Sequence, residues 1–222
     1  MVELLRKYFA GAPVTFLLSA AILAVYLVTA VQSGSLERNW VDSTLAQDWI
    51  LFAPEMHDPV AMLRAVGSMF IHLGATHMAL NLFMLGLLGP ELERAIGSRQ
   101  FAAGYFIAGL GGSLAVMLMD TLAPTAGASG ALYGLMAFLV ALAVRRKMDL
   151  RAPLVLVAVN VVFSLVSGNV SLWGHLGGLI AGAIVAWPLV AWRKGTAPLL
   201  LGVLVVECVL IWVVGTSIGP TA

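Results

Sequence analysis

The sequence predicts an all-α polytopic membrane protein with seven membrane-spanning helices. Of its 222 residues, 61% are hydrophobic and only 10% are charged, whereas a soluble domain carries about 25% charged residues. The apolar residues are gathered in seven stretches, and the basic residues fall mainly in alternate connections between them. This arrangement is typical of a helical bundle that lies in lipid.

Each stretch is close to the length that crosses a bilayer, about 17–25 residues. The second stretch contains polar residues and the fifth is short. The first is too long for a cleavable signal peptide and lacks a following cleavage site. We expect residues 1–222 to form a single domain, with a core at about 10–195 and one additional C-terminal span. The predicted spans are residues 14–32, 72–90, 99–119, 128–144, 152–167, 173–192 and 197–215.

The basic residues predict the orientation, because cytoplasmic loops are enriched in Lys and Arg. Only Arg38 and Arg64 fall on the opposite side from the others. We expect a cytoplasmic N-terminus, an external C-terminus and, without a transit peptide, a prokaryotic inner (plasma) membrane. The net charge of +1 gives no indication of nucleic acid binding. The residues on the cytoplasmic side are Arg6, Lys7, Arg94, Arg99, Arg145, Arg146, Lys147, Arg151, Arg193 and Lys194.

The longest connection, residues 32–71, mixes aromatic and acidic residues. Trp40 and Trp49 alternate with Asp42, Asp48 and Glu55. This composition favours short amphipathic pieces at the membrane interface. A solvated linker with incidental aromatic residues is the alternative.

Two residues of the last span are unusual for their surroundings. Cys208 is the only cysteine, so it has no disulfide partner, and we expect it to pack as a small apolar residue. A carboxylate at mid-membrane is costly unless it is protonated or paired. We expect a structural role for Glu207, with a transport path as the alternative.

Ser129 and His175 are the residues that point to chemistry. Ser129 lies in Gly127-Ala128-Ser129-Gly130, at the start of the fourth span, and His175 opens the sixth. Both are expected at the outer side of the membrane, where a neutral imidazole could take the serine proton. A helix start also offers free N–H groups and a positive dipole end to a developing oxyanion. The alternative for Ser129 is an ordinary N-cap. No Asp or Glu lies in either span, so a Ser–His dyad is favoured over a triad.

Glycine spacing predicts that these two spans lie close together. Gly130 and Gly134 are four residues apart in the fourth span, and Gly174, Gly178 and Gly182 repeat that spacing in the sixth. Small residues at this interval let helices approach closely in lipid, although the same spacing also serves packing alone.

Three further polar or aromatic residues belong to the predicted site. Tyr133 lies one turn after Ser129 and could stack on an imidazole, or be an ordinary buried aromatic residue. His77 and Asn81 share a face of the second span and could donate to an oxyanion, or form interhelical hydrogen bonds. His72 is five residues before His77, about 140° around a helix. We expect it to point elsewhere and to make a structural hydrogen bond.

A metal site is not favoured. The sequence has no H-E-x-x-H motif, and the second span has no carboxylate beside its histidines. Asp120 has no acidic partner for paired-carboxylate chemistry. We expect neither a metal nor another cofactor.

Together these motifs resemble the rhomboid family of intramembrane serine proteases. The first is Phe70-Ile71-His72 followed by His77-Met78-Ala79-Leu80-Asn81, and the second is Gly127-Ala128-Ser129-Gly130 with Tyr133 and Gly134. The third is His175-Leu176-Gly177-Gly178 with Gly182, and Leu92-Glu93-Arg94 with Gly97 resembles the family's turn. The family often has a Trp-Arg pair in the outer loop, where this chain has Leu63-Arg64.

The resemblance implies a six-helix core with one added C-terminal helix. It also implies that Ser129 is the nucleophile, that His175 is the general base, and that His77, Asn81 and the Ser129 N–H form the oxyanion hole. The substrates would be single-pass or other transmembrane proteins in the bilayer, cleaved near small or helix-weakening residues at the outer side. The alternatives are a catalytically inactive relative that binds membrane proteins and a transporter.

Overall fold

The structure, a computed structural model, describes residues 3, 7–168, 170–192 and 195–218. Arg6, Arg193 and Lys194, which contribute to the predicted orientation, lie outside these residues. Each predicted span corresponds to one long helix, and no strand is present in the described ranges. The long helices are α1 (Pro13–Ser33), α4 (Ala75–Ile96), α5 (Ser98–Met119), α6 (Ser129–Arg145), α7 (Arg151–Val166), α8 (Leu172–Ala191) and α9 (Ala197–Ile218).

Four of the described helices are long and apolar enough to cross a membrane: α1, α5, α8 and α9. Helices α6 and α7 are apolar but shorter, at 17 and 16 residues. Helix α4 has 22 residues but contains Glu91, Glu93 and Arg94 near its C-terminal end. The all-α polytopic fold is confirmed.

The segment between α1 and α4 forms short helical pieces, as expected from its composition. These are α2 (Thr44–Trp49), two 3-10 turns (Ala53–Glu55 and Ala61–Leu63) and α3 (Arg64–Gly67). Arg64 joins them: its guanidinium donates to the Gln47 and Ile50 carbonyls at 2.6 and 2.9 Å and pairs with Glu55 at 2.7 Å. Arg64 therefore orders this segment although Leu63 replaces the family's Trp. Its location at a membrane interface stays a prediction.

Helices α5, α6 and α8 pack extensively against one another and form the centre of the bundle. Two glycine pairs bring the α6 and α8 backbones together. A Cβ at Gly178 would lie 2.0 Å from the Gly130 carbonyl oxygen, and one at Gly182 would lie 2.4 Å from the Gly134 Cα. Any side chain at these positions would push the two helices apart.

We expect Gly178→Ala to lower the apparent free energy of unfolding by about 1–3 kcal/mol, because the added methyl group overpacks the crossing. SDS titration of the protein in mild detergent measures this change. Gly202→Ala in α9 is the matched control, since a Cβ there meets nothing within 4 Å. Equal stability of the two variants would contradict the close approach of α6 and α8.

At the other end of the bundle, Glu93 caps α1. Its buried carboxylate accepts hydrogen bonds from the Val14 N–H at 2.9 Å, the Thr15 N–H at 2.8 Å and the Thr15 hydroxyl at 2.7 Å. The Ser98 hydroxyl donates to it at 2.6 Å. The first N–H groups of a helix lack partners within the helix, so Glu93 supplies from α4 a cap that α1 does not contain.

Replacing Glu93 by Gln should destabilise the protein by about 1–3 kcal/mol, because the amide presents a donor to buried donors. Glu91→Gln serves as the control. Glu91 is 57% exposed and pairs with Arg146 at the surface, where an ion pair is worth about 0–1 kcal/mol. Thermal unfolding in detergent compares the two variants, and a loss no greater for Glu93→Gln would refute the capping role.

The last helix buries one of its two unusual residues and exposes the other. Glu207 is buried at 6% exposure, and its Oε2 has no hydrogen-bond partner among the described residues. Its Oε1 lies where a Cβ on Gly111 of α5 would come within 3.3 Å, so glycine leaves room for the carboxyl group. Cys208 is exposed. The expectation that Cys208 packs in the bundle is therefore wrong, because the helix turns this residue outward.

Candidate active site

Ser129 is the first residue of α6, and Ala128 occupies the N-cap position. Ser129 does not cap the helix with its side chain, which removes the ordinary N-cap interpretation. Its Oγ instead lies 2.8 Å from Nε2 of His175. The hydroxyl is thus next to the free N–H groups of the α6 N-terminus and within hydrogen-bond distance of an imidazole.

The loop before Ser129 is held by main-chain hydrogen bonds. Leu51 and Thr125 exchange N–H···O bonds of 3.0 and 2.9 Å, and the Gly127 N–H donates to the Ser68 carbonyl at 2.9 Å. Gly127 has a φ of 122°, a conformation open to glycine. These bonds connect the loop before Ser129 to the segment between α1 and α4 and to the turn that follows α3.

His175 lies in the first turn of α8 and is 6% exposed. Helix α8 begins at Leu172, where the Ser171 side chain caps it by accepting from the Gly174 N–H at 3.1 Å. The imidazole is stacked on the Tyr133 ring, with centroids 4.2 Å apart and an interplanar angle of 11°. Its other nitrogen, Nδ1, lies 2.7 Å from the Ser164 Oγ.

Ser164 belongs to α7 and was not among the residues singled out from the sequence. It is buried, at 3% exposure, and its hydroxyl also lies 2.5 Å from the Tyr133 hydroxyl and 2.9 Å from the Asn160 carbonyl. Asn160 and Ser164 are two polar residues one turn apart in an otherwise apolar span. That spacing was the available signal, because polar groups at membrane depth mark function or pairing.

His77 and Asn81 lie in the first two turns of α4, and His77 is next to the loop before Ser129. The His77 Nδ1 accepts from the Leu73 N–H at 3.2 Å, and a Cβ on Gly127 would lie 2.8 Å from the His77 Nε2. The Asn81 Nδ2 donates to the His77 carbonyl at 2.9 Å. Its buried Oδ1 has no partner among the described residues. The structure thus brings His77 close to the loop that carries Ser129.

The expectation that His72 points away from His77 is wrong. The helix begins at Ala75, after Gly74 with a φ of 92°, so helical geometry does not apply to residue 72. The His72 and His77 rings are 5.1 Å apart. The predicted structural hydrogen bond is present: the His72 Nδ1 lies 3.1 Å from the Phe70 carbonyl. Asn39 fixes this turn by donating to the His72 carbonyl at 2.9 Å and accepting from the Gly74 N–H at 2.8 Å.

Ser129 and His175 line a cleft of about 700 Å³. The cleft is also lined by His77, Asn81 and Tyr133, and apolar side chains from α4 and α7 complete its wall: Leu80, Phe83, Met84 and Phe163. The polar Ser129–His175 pair therefore faces a mostly apolar space.

The fold and this site define a class of protein: a polytopic helical membrane protein with a hydrogen-bonded Ser–His pair inside the bundle. Residues 59–192, more than half of the chain, match the Rhomboid domain. The chain belongs to the rhomboid family, which confirms the resemblance drawn from its motifs. It is an integral membrane protein.

Similar proteins are found in distant organisms. Rhomboid protease GluP of Bacillus subtilis is 30% identical over 180 residues, which cover 78% of this chain and 34% of GluP. Rhomboid-like protease 3 of Toxoplasma gondii is 29% identical over 173 residues, 74% of this chain and 65% of that protein. Rhomboid-related protein 2 of Mus musculus is 32% identical over 122 residues, which cover 54% of this chain and 39% of that protein. The chain thus spans about a third to two thirds of the length of these relatives.

Proposed function

We propose that this protein is an intramembrane serine endopeptidase, in which Ser129 is the nucleophile and His175 the general base. The observation that carries the proposal is the 2.8 Å hydrogen bond between the Ser129 Oγ and the His175 Nε2 at the start of a membrane helix. Family membership supports it, since two similar proteins bear the name protease. A catalytically inactive relative would lack Ser129 or His175, and this chain has both.

In the proposed reaction, the His175 Nε2 takes the proton of Ser129 as its Oγ attacks the carbonyl carbon of the scissile peptide. The carbonyl oxygen becomes an oxyanion, and the C–N bond breaks as His175 returns the proton to the leaving amine. Water then attacks the acyl-enzyme with the same base, releasing the carboxylate product and restoring the serine hydroxyl. The Tyr133 ring holds the imidazole plane during both transfers.

The oxyanion would lie at the N-terminal end of α6. As the first helical residue, Ser129 has an N–H without a partner in a preceding turn. His77 and Asn81 face the same cleft from α4. Gly127 gives the His77 ring room, because a Cβ there would lie 2.8 Å from that ring. Gly130, Gly178 and Gly182 support the site by letting the backbones of α6 and α8 approach closely.

The proposed substrates are transmembrane segments of single-pass or other membrane proteins. A helical peptide bond is closed to attack, because its backbone groups are bonded within the helix. The target must unwind locally, so small or helix-weakening residues are expected at the cleavage site. We further propose one membrane domain over residues 1–222, with its core at about 10–195.

The orientation is proposed from the charges at the two ends of the bundle. Arg94, Arg145 and Arg146 lie at the end opposite Ser129, at or beyond the C-terminal ends of α4 and α6. The positive-inside rule then gives a cytoplasmic N-terminus, an external C-terminus and an active site near the outer face. A prokaryotic inner (plasma) membrane is the proposed location.

A fluorophosphonate probe tests the proposed nucleophile without a known substrate. We expect wild type to be labelled, and Ser129→Ala, His175→Ala and heat-denatured protein to lose labelling. The loss corresponds to at least about 10³-fold in rate, because nucleophile and base act as a unit. Ser217→Ala and His57→Ala are the controls, since both residues are exposed and distant from the cleft. Absent labelling in folded wild-type protein would contradict the proposal.

Asn81→Ala should slow labelling by about 10²–10³-fold if Asn81 donates to the oxyanion. The substitution also removes the hydrogen bond from the Asn81 Nδ2 to the His77 carbonyl, so a loss of about 0.5–1.5 kcal/mol in the free energy of unfolding is expected beside the rate effect. The rate constant of labelling and the unfolding midpoint are measured on the same samples. An unchanged rate would remove Asn81 from the oxyanion hole and leave the dyad in place.

A further inference from the structure

We propose that Ser164 of α7 is a positioning residue that fixes the reactive tautomer of His175. The inference rests on the proposed function and deepens it. The Ser164 Oγ lies 2.7 Å from the His175 Nδ1, while the His175 Nε2 lies 2.8 Å from the Ser129 Oγ. Both nitrogens of the imidazole are therefore bonded to serine hydroxyls, and the direction of one bond determines the direction of the other.

The hydrogen bonds form a chain that ends at the Asn160 carbonyl oxygen, which can only accept a hydrogen bond. The Ser164 hydroxyl lies 2.9 Å from the Asn160 carbonyl oxygen, which accepts and cannot donate. When Ser164 donates its proton there, its oxygen is left as an acceptor toward His175. The His175 Nδ1 must then carry the hydrogen, so the lone pair lies on Nε2 and faces Ser129. This is the tautomer that general-base chemistry requires.

The opposite direction would disable the base. If Ser164 donated to the His175 Nδ1, the hydrogen would be on Nε2 and would point at the Ser129 Oγ. A neutral imidazole in that state cannot take the serine proton, and a wrong tautomer costs about 10⁴-fold in a Ser-His-Asp enzyme. In this chain, where spans four and six contain no carboxylate, a hydroxyl bonded to a main-chain carbonyl takes the orienting position.

Tyr133 gives the Ser164 proton a second acceptor. Its hydroxyl donates to the Asn160 carbonyl at 2.5 Å, which leaves its oxygen, 2.5 Å from the Ser164 Oγ, free to accept from Ser164. Its ring is stacked on His175. One side chain thus aligns the imidazole plane and contacts the residue that orients its Nδ1.

A serine in a membrane helix often bonds only to its own helix, and that is the simpler explanation for Ser164. The burial pattern of α7 indicates that Ser164 has a role beyond this bond within its own helix. All 16 residues of α7 are described, and Ser164 alone among them is buried. The one fully buried residue of the helix is therefore the one that meets the His175 Nδ1. A buried ring N–H needs an acceptor, and among the described residues Ser164 is the one bonded to that nitrogen.

The test combines activity with a direct measurement of the tautomer. Full-length protein in detergent is labelled with ¹⁵N-histidine, and the His175 signals are assigned by their loss in His175→Ala. We expect wild type to show the hydrogen on Nδ1, and Ser164→Ala to shift the population toward Nε2. Labelling by the fluorophosphonate probe should slow by about 10–100-fold through the maximal inactivation rate, with unchanged probe affinity.

Two further variants separate orientation from packing. Ser164→Thr keeps the hydroxyl and should restore most of the rate and the wild-type tautomer. Ser19→Ala removes a hydroxyl that likewise bonds to a carbonyl of its own helix, that of Thr15 at 2.8 Å, outside the cleft lining, and should behave as wild type.

The outcomes are distinguishable from failure of the proposed function. An unchanged tautomer in Ser164→Ala overturns the inference, even if Ser129 is labelled normally. A shifted tautomer supports it, because that signal does not depend on catalysis. Absent labelling in wild type would instead reject the proposed protease activity. A third outcome is that Ser164→Ala loses rate without a tautomer shift and Ser164→Thr does not restore the rate. That result would assign Ser164 to packing and overturn the positioning role.

Discussion

The close contact between the α6 and α8 backbones is the constraint on which the rest of the site depends. Lipid tails are as apolar as leucine side chains, so hydrophobic burial contributes little to the association of helices in a bilayer. Glycine replaces that contribution with direct backbone contact at Gly130 against Gly178 and at Gly134 against Gly182. Ser129 precedes Gly130 by one residue, and His175 precedes Gly178 by three. Their separation is therefore set by two rigid helices rather than by flexible side chains.

Around this contact, polar groups are gathered into two clusters at opposite ends of the bundle. At one end, the Glu93 carboxylate accepts from four donors of α1 and α5. At the other, a chain of hydroxyl and imidazole groups runs from Ser129 to the Asn160 carbonyl. Each cluster ends on an acceptor, so the buried donors in it have hydrogen-bond partners. Burying a donor without a partner in an apolar environment would cost free energy. This second chain begins at Ser129, which lines the cleft.

Sequence reasoning succeeded where the physical signal was local or periodic. Apolar length located the seven long helices, glycine spacing predicted the α6–α8 approach, and the residue type at a helix start drew attention to Ser129. It failed at His72, because a positive φ at Gly74 delays the start of α4 and no pattern reveals that dihedral angle. It missed Ser164, since a lone hydroxyl in an apolar span looks like ordinary packing until a neighbouring helix supplies its partner. Cys208 was misplaced because, apart from Glu207, α9 is apolar all round, and the small size of a cysteine does not indicate whether it faces inward or outward.

The Leu51–Thr125 pairing has a consequence for how such a protein can diversify. It joins the segment between α1 and α4 to the loop before Ser129 through main-chain atoms, and these atoms are the same for every residue type. The exposed side chains of that segment, including Leu36, Trp40 and Val60, take no part in it. Mutation can therefore change these exposed side chains while the loop before Ser129 keeps its geometry. The two are separable under selection, because the pairing uses main-chain atoms and no side chains.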